Sequence, residues 1–412
     1  MSVTIVGAGV GGLTAALSLH AAGQSDVRVL EAARELRDVG VGINLPPHAV
    51  RELTELGLGD ALDKFGVPTK ELAYYDPAGK LIWAEPRGLE AGYKWPQYSI
   101  HCGTLQRLLA DVVRQRLGEN AIHVGQRVTG VTQDQGGAMS IAAIDLATEQ
   151  PASFTADVVI AADGIRSPVR NGFYGAPIPL ASNGWVMYRG VTKSGPFLSG
   201  RSMVIIGDET QRIVVYPIAE GLLNWLLVRP KDPAAGQSEL GNWNASIPTD
   251  VTAAFVKDYR FDWLDVHQLV ASASEAYEYP MADIDPLPRW VFGRCALLGD
   301  AAHAMYPFGS NGASQAILDA RVLAYELANA ASIDSGLQAY EEHRRPAVSE
   351  VQLANRRQAG DVMARVSALA RSGAHGDAAT ELQDVERRYK QLAGFDVDAL
   401  NNRKSWSISR AS

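Results

Sequence analysis

Residues 7 to 12 read Gly-Ala-Gly-Val-Gly-Gly and lie between an apolar run, Val3–Val6, and a stretch of helical period, Gly12–Ala22. Leu13, Ala16, Leu17 and His20 share one side of that helix, and Gly23 supplies its C-cap. A second apolar run, Val27–Leu30, follows and ends at Glu31. Two strands joined by a helix in so short a span make a β-α-β opening, which favours a parallel sheet. Gly7, Gly9 and Gly12 then have separate steric duties: a tight turn, close approach of backbone to a pyrophosphate, and close packing of helix on strand. Val10 and Gly11 open the helix, whose free N–H groups and positive dipole end face the phosphates. Glu31 stands where a carboxylate accepts from ribose hydroxyls and disfavours a 2′-phosphate. The expectation is a dinucleotide site for FAD or NAD rather than NADP.

The rest of the chain has to be compatible with that opening. At 412 residues it exceeds one ordinary domain, so two lobes are expected. A formal charge of −8 argues against a nucleic-acid or anionic-membrane partner, because phosphate binding needs clustered Lys and Arg. No apolar run reaches the roughly 18 residues that a bilayer span needs. Cys102 and Cys295, the only two cysteines, allow neither a disulfide framework nor a thiolate metal cluster, and no zinc spacing occurs. No metal is expected. Met1 leads straight into Ser2-Val3-Thr4 without a basic region or cleavage site, so a cytoplasmic location is expected.

Thr104–Leu117 reads as an amphipathic helix with Leu105, Leu108, Leu109, Val112 and Leu117 near one face, ended by Gly118. Val158–Ala162 and Ala296–Leu298 are further buried strands, and a helix is expected from about Ala313 to Ala330. Two stretches differ in texture. Residues 70–98 carry a hairpin, Tyr74-Tyr75 and Leu81-Ile82-Trp83 flanking the turn Asp76-Pro77-Ala78-Gly79. Residues 182–280 alternate strand-like runs with turns. The expected fold is α/β: a Rossmann-like nucleotide-binding lobe (1–69, 99–181 and 281–345), an inserted, mostly antiparallel sheet lobe for the substrate (70–98 and 182–280), and a helical tail (346–412) broken at Arg371–Ala378.

Two later patterns repeat one device. Asp157-Val158-Val159-Ile160-Ala161-Ala162-Asp163-Gly164 delivers Asp163 to the carboxyl end of a buried strand, where ligands of parallel sheets bind, and Ile165–Arg170 follows. Gly299-Asp300-Ala301-Ala302-His303 does the same, then Pro307 and Gly309-Ser310-Asn311-Gly312 open a long helix whose N-terminus can face developing negative charge.

In this order, the fingerprint with Glu31, the Asp163-Gly164 segment and the Gly299-Asp300 segment resemble the single-component FAD-dependent aromatic hydroxylases, the para-hydroxybenzoate and salicylate hydroxylase type, over roughly residues 1–350. The resemblance implies Glu31 on the adenosine ribose and Asp300 on the ribityl chain. It implies Asp163 near cofactor and NAD(P)H, and backbone amides of Gly312, Ala313 and Ser314 by the flavin pyrimidine carbonyl. It extends cofactor contact to Val41, Gly42, Gln106, Val128 and Gly309. A narrower likeness, in Pro68–Leu72, Glu85–Gly88, Pro96–His101, Tyr279–Met281 and Met305–Pro307, is to the methylphenazine-carboxylate monooxygenase branch, which hydroxylates a fused aromatic acid with decarboxylation.

One position departs from the family. An Arg normally follows the His of the Ser-x-His segment and reaches the FAD phosphate and ribose region; here His101 precedes Cys102. Losing a charge-assisted contact predicts weaker FAD retention, offset by Arg37 or Arg107. Arg189 and Arg212 are candidates for holding a substrate carboxylate, with Tyr216, Trp225, Pro307 and Phe308 lining the pocket, each against a competing role in core packing. His303 reads as packing in the Gly-Asp turn rather than as a general base.

The activity implied is hydroxylation of a small aromatic or fused heteroaromatic substrate with O2 and NADH or NADPH, by way of a flavin C4a-hydroperoxide, in a monomer or homodimer. With a single nucleotide fingerprint, the nicotinamide is expected to dock transiently. An FAD-dependent epoxidase or dearomatising hydroxylase shares these motifs, as does a non-catalytic escort protein. A flavin halogenase would need a Trp-x-Trp-x-Ile-Pro segment, which the chain lacks.

Overall fold

The computed structural model describes residues 1–36, 40–231, 245–357 and 363–408. A six-stranded sheet forms the first lobe, in the order Val291–Phe292, Cys295–Leu297, Val158–Ala161, Val3–Val6, Val27–Leu30, Ile122–His123. All its pairings are parallel except that of the edge strand Val291–Phe292. The central strands Val3–Val6, Val158–Ala161 and Cys295–Leu297 are buried throughout, as parallel strands covered on both faces must be. Helix Val10–Ala21 packs between helices Cys102–Leu117 and Gly312–Asn329. A three-stranded meander (Gln126–Gln133, Met139–Asp145, Gln150–Ala156) extends the lobe.

Strands from residues 71–86 and 181–283 meet in one sheet. Its eight strands include the hairpin Glu71–Tyr75 and Leu81–Pro86 at one edge. One pairing differs from a purely antiparallel lobe: Ser202–Gly207 runs parallel to Glu71–Tyr75. The hairpin is distant in sequence and joins the sheet edge without a tight turn, so nothing forces it antiparallel. A small sheet of Gly42–Leu45, Gln97–His101 and Val67–Thr69 connects the lobes.

The tail is helical, with two differences from expectation. Helix Ile333–Arg357 runs through residue 345, so the expected boundary there falls inside a helix. The break is also shorter than Arg371–Ala378: helix Met363–Arg371 runs through its first residue, His375–Leu392 begins directly after Ala374, and Gly373 makes the turn at φ 84°. No described helix is long and apolar enough to cross a membrane.

The tail is strapped onto the first lobe by buried charge. Glu52, paired at 3.1 Å with Arg321 of its own lobe, also pairs with Arg403 of the tail. Arg51 donates to the carbonyls of Leu400 and Arg403.

Candidate active site

The glycine fingerprint is built as its spacing demands. A Cβ on Gly7 (φ 103°) would strike the Ala162 carbonyl, and one on Gly12 would strike the Gly7 carbonyl. Gly9 differs, because nothing lies within 4 Å of where its Cβ would stand, and it borders the main cavity. The loop is then tied at Ala8, through both its amide and its carbonyl. The Ala8 amide donates to Glu31 Oε2 and the Ala33 amide to Glu31 Oε1, both at 2.7 Å, while Gln106 donates to the Ala8 carbonyl at 2.7 Å. Each Glu31 oxygen keeps a second lone pair for a ribose hydroxyl.

The second and third motifs are joined by a residue whose role the sequence did not reveal. Arg170 is buried and donates to the carbonyls of Ile165 (2.6 Å) and Ala301 (3.2 Å), so one guanidinium holds the Asp163 turn against the Asp300 turn. Asp319, also unforeseen, accepts from His303 Nε2 (2.5 Å), Arg344 Nε (2.8 Å) and the Gly299 amide (3.2 Å). His303 therefore packs under the turn, as expected, rather than facing a substrate. Asp300 is open to the cavity, and desolvation by the protein atoms around it pushes its carboxyl pKa up. Burial does the same to Asp163.

A cavity of about 670 Å³ runs from the fingerprint to the sheet of the second lobe. Gly9, Val10, Gly11, Val41, Gly42, Asp300, Pro307, Gly309, Gly312 and Ala313 border it, together with Arg189, Arg212 and Tyr216. Gly7, Gly12, Glu31, Gln106, Asp163 and Ser314 do not border it. Val128 packs its side chain in the core, and its strand pairs with Met139–Asp145. Arg37 lies outside the described residues, as does the side chain of Phe308.

The sheet presents one face to the cavity by its twofold period. Met187 and Arg189, Met203 and Ile205, Arg212, Val214 and Tyr216, Leu226 and Val228, and Tyr279 and Met281 all face it. Their neighbours Val186, Tyr188, Val204, Ile206, Ile213, Val215 and Leu227 point to the opposite core. Trp225 belongs to that core, which corrects its expected place in the pocket. Its indole donates to Thr192 Oγ1 at 3.1 Å. Alternation in each strand was the signal that would have separated these sets.

Arg212 is buried, stacks 5.2 Å over Trp185, and has its pKa lowered to about 10 by desolvation. Arg189 lies 5.2 Å over Tyr279 and donates to the Gly42 carbonyl at 2.8 Å, so it also braces the cofactor-side loop. The Gly42 amide donates to Asn224 Oδ1 at 2.6 Å from the other lobe. Tyr216, buried beside Arg189 and Cys102, is pushed up to about 12 by burial. Cys102 borders the cavity with its thiol pKa raised by burial, close enough to Arg189 to feel its charge.

This lining fits a flavin dinucleotide. Gly9, Gly164 and Gly312 border the cavity with open space where a Cβ would stand, which backbone contact with a large ligand needs. Asp300 offers an acceptor for ribityl hydroxyls. Helix Gly312–Asn329 turns its N-terminus to the same space. No His, Cys, Asp and Glu group among the described residues could hold a metal ion.

Comparison with known proteins agrees with that geometry. Residues 1–354 match the FAD binding domain family. The chain is 43% identical over 362 residues to phenazine 1,6-dicarboxylic acid hydroxylase PhzS of Lysobacter antibioticus, covering 86% of this chain and 89% of that one. It is 34% identical to 3-amino-4-hydroxybenzoate 2-monooxygenase PtmB3 of Streptomyces platensis, covering 85% of each. The structure of Klebsiella pneumoniae HpxO with FAD and uric acid superposes with a TM-score of 0.78 at 26% identity, covering 96% of both chains. The chain belongs to the FAD binding domain family and is an FAD-dependent monooxygenase of the aromatic hydroxylase type.

Proposed function

We propose that the enzyme hydroxylates a fused heteroaromatic carboxylic acid of the phenazine carboxylate class, with loss of CO2 where the attacked carbon bears the carboxylate. The carrying observation is the cavity face of the sheet, an apolar, sulfur-rich slot (Met187, Met203, Met281, Leu226, Val228) in which Arg212 is buried. A flat apolar ring system suits such walls, and an anionic substituent suits a desolvated guanidinium. The 43% identity to a phenazine dicarboxylic acid hydroxylase supports the same class.

Bound FAD, reduced by NADH or NADPH, supplies the electron transfer and oxygen activation. The protein supplies position and dryness. Gly7 to Gly12, Glu31 and Asp300 would hold the dinucleotide and ribityl chain. The amides at Gly312 and Ala313, at the positive end of a helix, would stabilise negative charge on the flavin pyrimidine. Arg212 orients the substrate carboxylate, and the methionine and aliphatic wall excludes water. Dependence on a nicotinamide reductant favours a cytoplasmic setting.

The test is NADH and NADPH oxidation with phenazine-1-carboxylate, a phenazine dicarboxylate, salicylate and hydroxyquinolines, with product, CO2 and H2O2 measured. Hydroxylated phenazine is expected. Phenazines that stimulate only peroxide formation, or another ring system turned over in their place, would sink the assignment.

A further inference from the structure

The family match ends at residue 354, yet the cavity does not. Helix His375–Leu392 and the turn after it contribute Leu382, Glu386, Tyr389 and Phe395 to its lining. Tyr389 does more than fill space. We infer that Tyr389 is a positioning residue that sets the loop Pro307–Gly312, making the C-terminal segment a working part of the oxidation site. This rests on the reading that the loop and the helix start after it face the flavin.

The loop holds an unfavourable shape. Gly309 and Ser310 are both left-handed, at φ 71° and 53°, and a serine rarely stays there unless its surroundings dictate it. The surroundings come from the tail and from the first lobe. The Tyr389 ring lies against Gly309 so closely that a Cβ there would collide with it. Asn311 then donates from Nδ2 to the Tyr389 hydroxyl at 3.2 Å. The Asn311 carbonyl oxygen accepts from His48 Nε2 at 3.0 Å and from Gln315 Nε2 at 3.2 Å.

His48 is itself clamped by the tail. Its ring stacks on Phe395 with centroids 4.6 Å apart and planes 7° from parallel. Full burial pushes its pKa down to about 3, so the ring is neutral and its Nε2 proton points at Asn311. Asn311 thus has its acceptor and its donor both engaged, one by the first lobe and one by the tail. It directly precedes the helix start at Gly312, whose position decides where the N–H groups point. Removing the hydroxyl on which Asn311 is anchored releases one side of that clamp while leaving the ring against Gly309.

The experiment compares wild type with Tyr389→Phe, which keeps the ring, and with Arg388→Ala, an exposed neighbour on the same helix that does not border the cavity. FAD dissociation constant, absorption spectrum and midpoint potential of the bound flavin are measured, together with apoprotein melting. Tyr389→Phe is expected to raise the FAD Kd roughly three- to tenfold, the effect of one lost hydrogen bond, and to shift the spectrum and potential. Arg388→Ala is expected to leave the flavin spectrum as in wild type. Asn311→Ala combined with Tyr389→Phe is expected to add nothing to the spectral shift of Asn311→Ala alone. A folded Tyr389→Phe protein with wild-type Kd, spectrum and potential would overturn the inference, and so would spectral shifts that simply add. Wild type that fails to bind FAD would instead overturn the reading of the cavity beneath it.

Discussion

The two walls of the cavity are made of different material. On the first lobe the surface is backbone: glycines stripped of Cβ atoms, the ends of parallel strands, and the starts of helices Val10–Ala21 and Gly312–Asn329. On the second lobe it is side chain, one residue in two along the strands of the larger sheet. A backbone wall binds by close approach and dipole, so it tolerates little change at a few positions. A side-chain wall binds by shape and charge, so substitutions there retune the occupant and leave the frame standing.

Two glycines probe the backbone wall most severely. Gly12→Val would drive a side chain into the Gly7 carbonyl and is expected to abolish both FAD binding and a cooperative melt of the first lobe. Gly9→Val meets no protein atom, so it is expected to melt like the wild-type apoprotein while binding FAD at least about a hundredfold more weakly. If Gly9→Val also unfolds the protein, the glycine serves packing and not a ligand.

Next in size is the support beneath the third motif. Asp319→Asn leaves Arg344 buried with a neutral partner, and a loss of about 3–5 kcal/mol is expected in denaturant unfolding. A smaller loss would mean the Gly299 turn stands without it.

Acid should act through His48. The folded state holds it neutral down to about pH 3, whereas an unfolded histidine takes up a proton near 6.5. Between those values the unfolded chain binds the extra proton, so stability is full above pH 6.5 and falls as pH drops towards 3. The slope contributed is at most about 1.4 kcal/mol per pH unit. His48→Gln keeps a donor for Asn311 and should remove that slope from the acid-unfolding curve; an unchanged slope would show that His48 does not carry it.

On the side-chain wall, Arg212→Met is expected to raise KM for a carboxylated substrate about ten- to thirtyfold, with FAD Kd unchanged. Equal losses for a substrate lacking the carboxylate would assign Arg212 to the sheet alone. The smallest effect is Cys102→Arg. A guanidinium restored there is expected to tighten FAD only a few-fold, because the charge of nearby Arg189 opposes part of the gain. No gain would show that Cys102 does not weaken FAD retention.

The same division explains what could be read in the sequence. The backbone wall is encoded locally, in glycine spacing and in acids at strand ends, so Gly7 to Gly12, Asp300 and Gly312 were found where they stand. Arg170 and Asp319 escaped because they act through partners more than ten residues away, Ala301 for the one, Gly299, His303 and Arg344 for the other. On the other wall the strands were legible, but Trp225 was assigned to the wrong face, since an aromatic residue fits pocket and core alike until register is known. The tail carried no motif at all. Its place in the cavity depends on ion pairs such as Glu52 with Arg403 and Glu85 with Lys390, whose members lie far apart along the chain.

Tyr389 and Gly9 border one cavity from opposite ends of the polypeptide. At synthesis rates of about 5–20 residues per second, the nascent chain exposes its glycine loop on the order of tens of seconds before the ribosome delivers the helix that closes the opposite side. During that interval the nucleotide loop can form, but the wall holding the loop after Pro307 has not yet been made. Tight capture of the flavin is therefore expected only once that helix has emerged, and a nascent chain truncated before it should release cofactor that a chain containing it keeps.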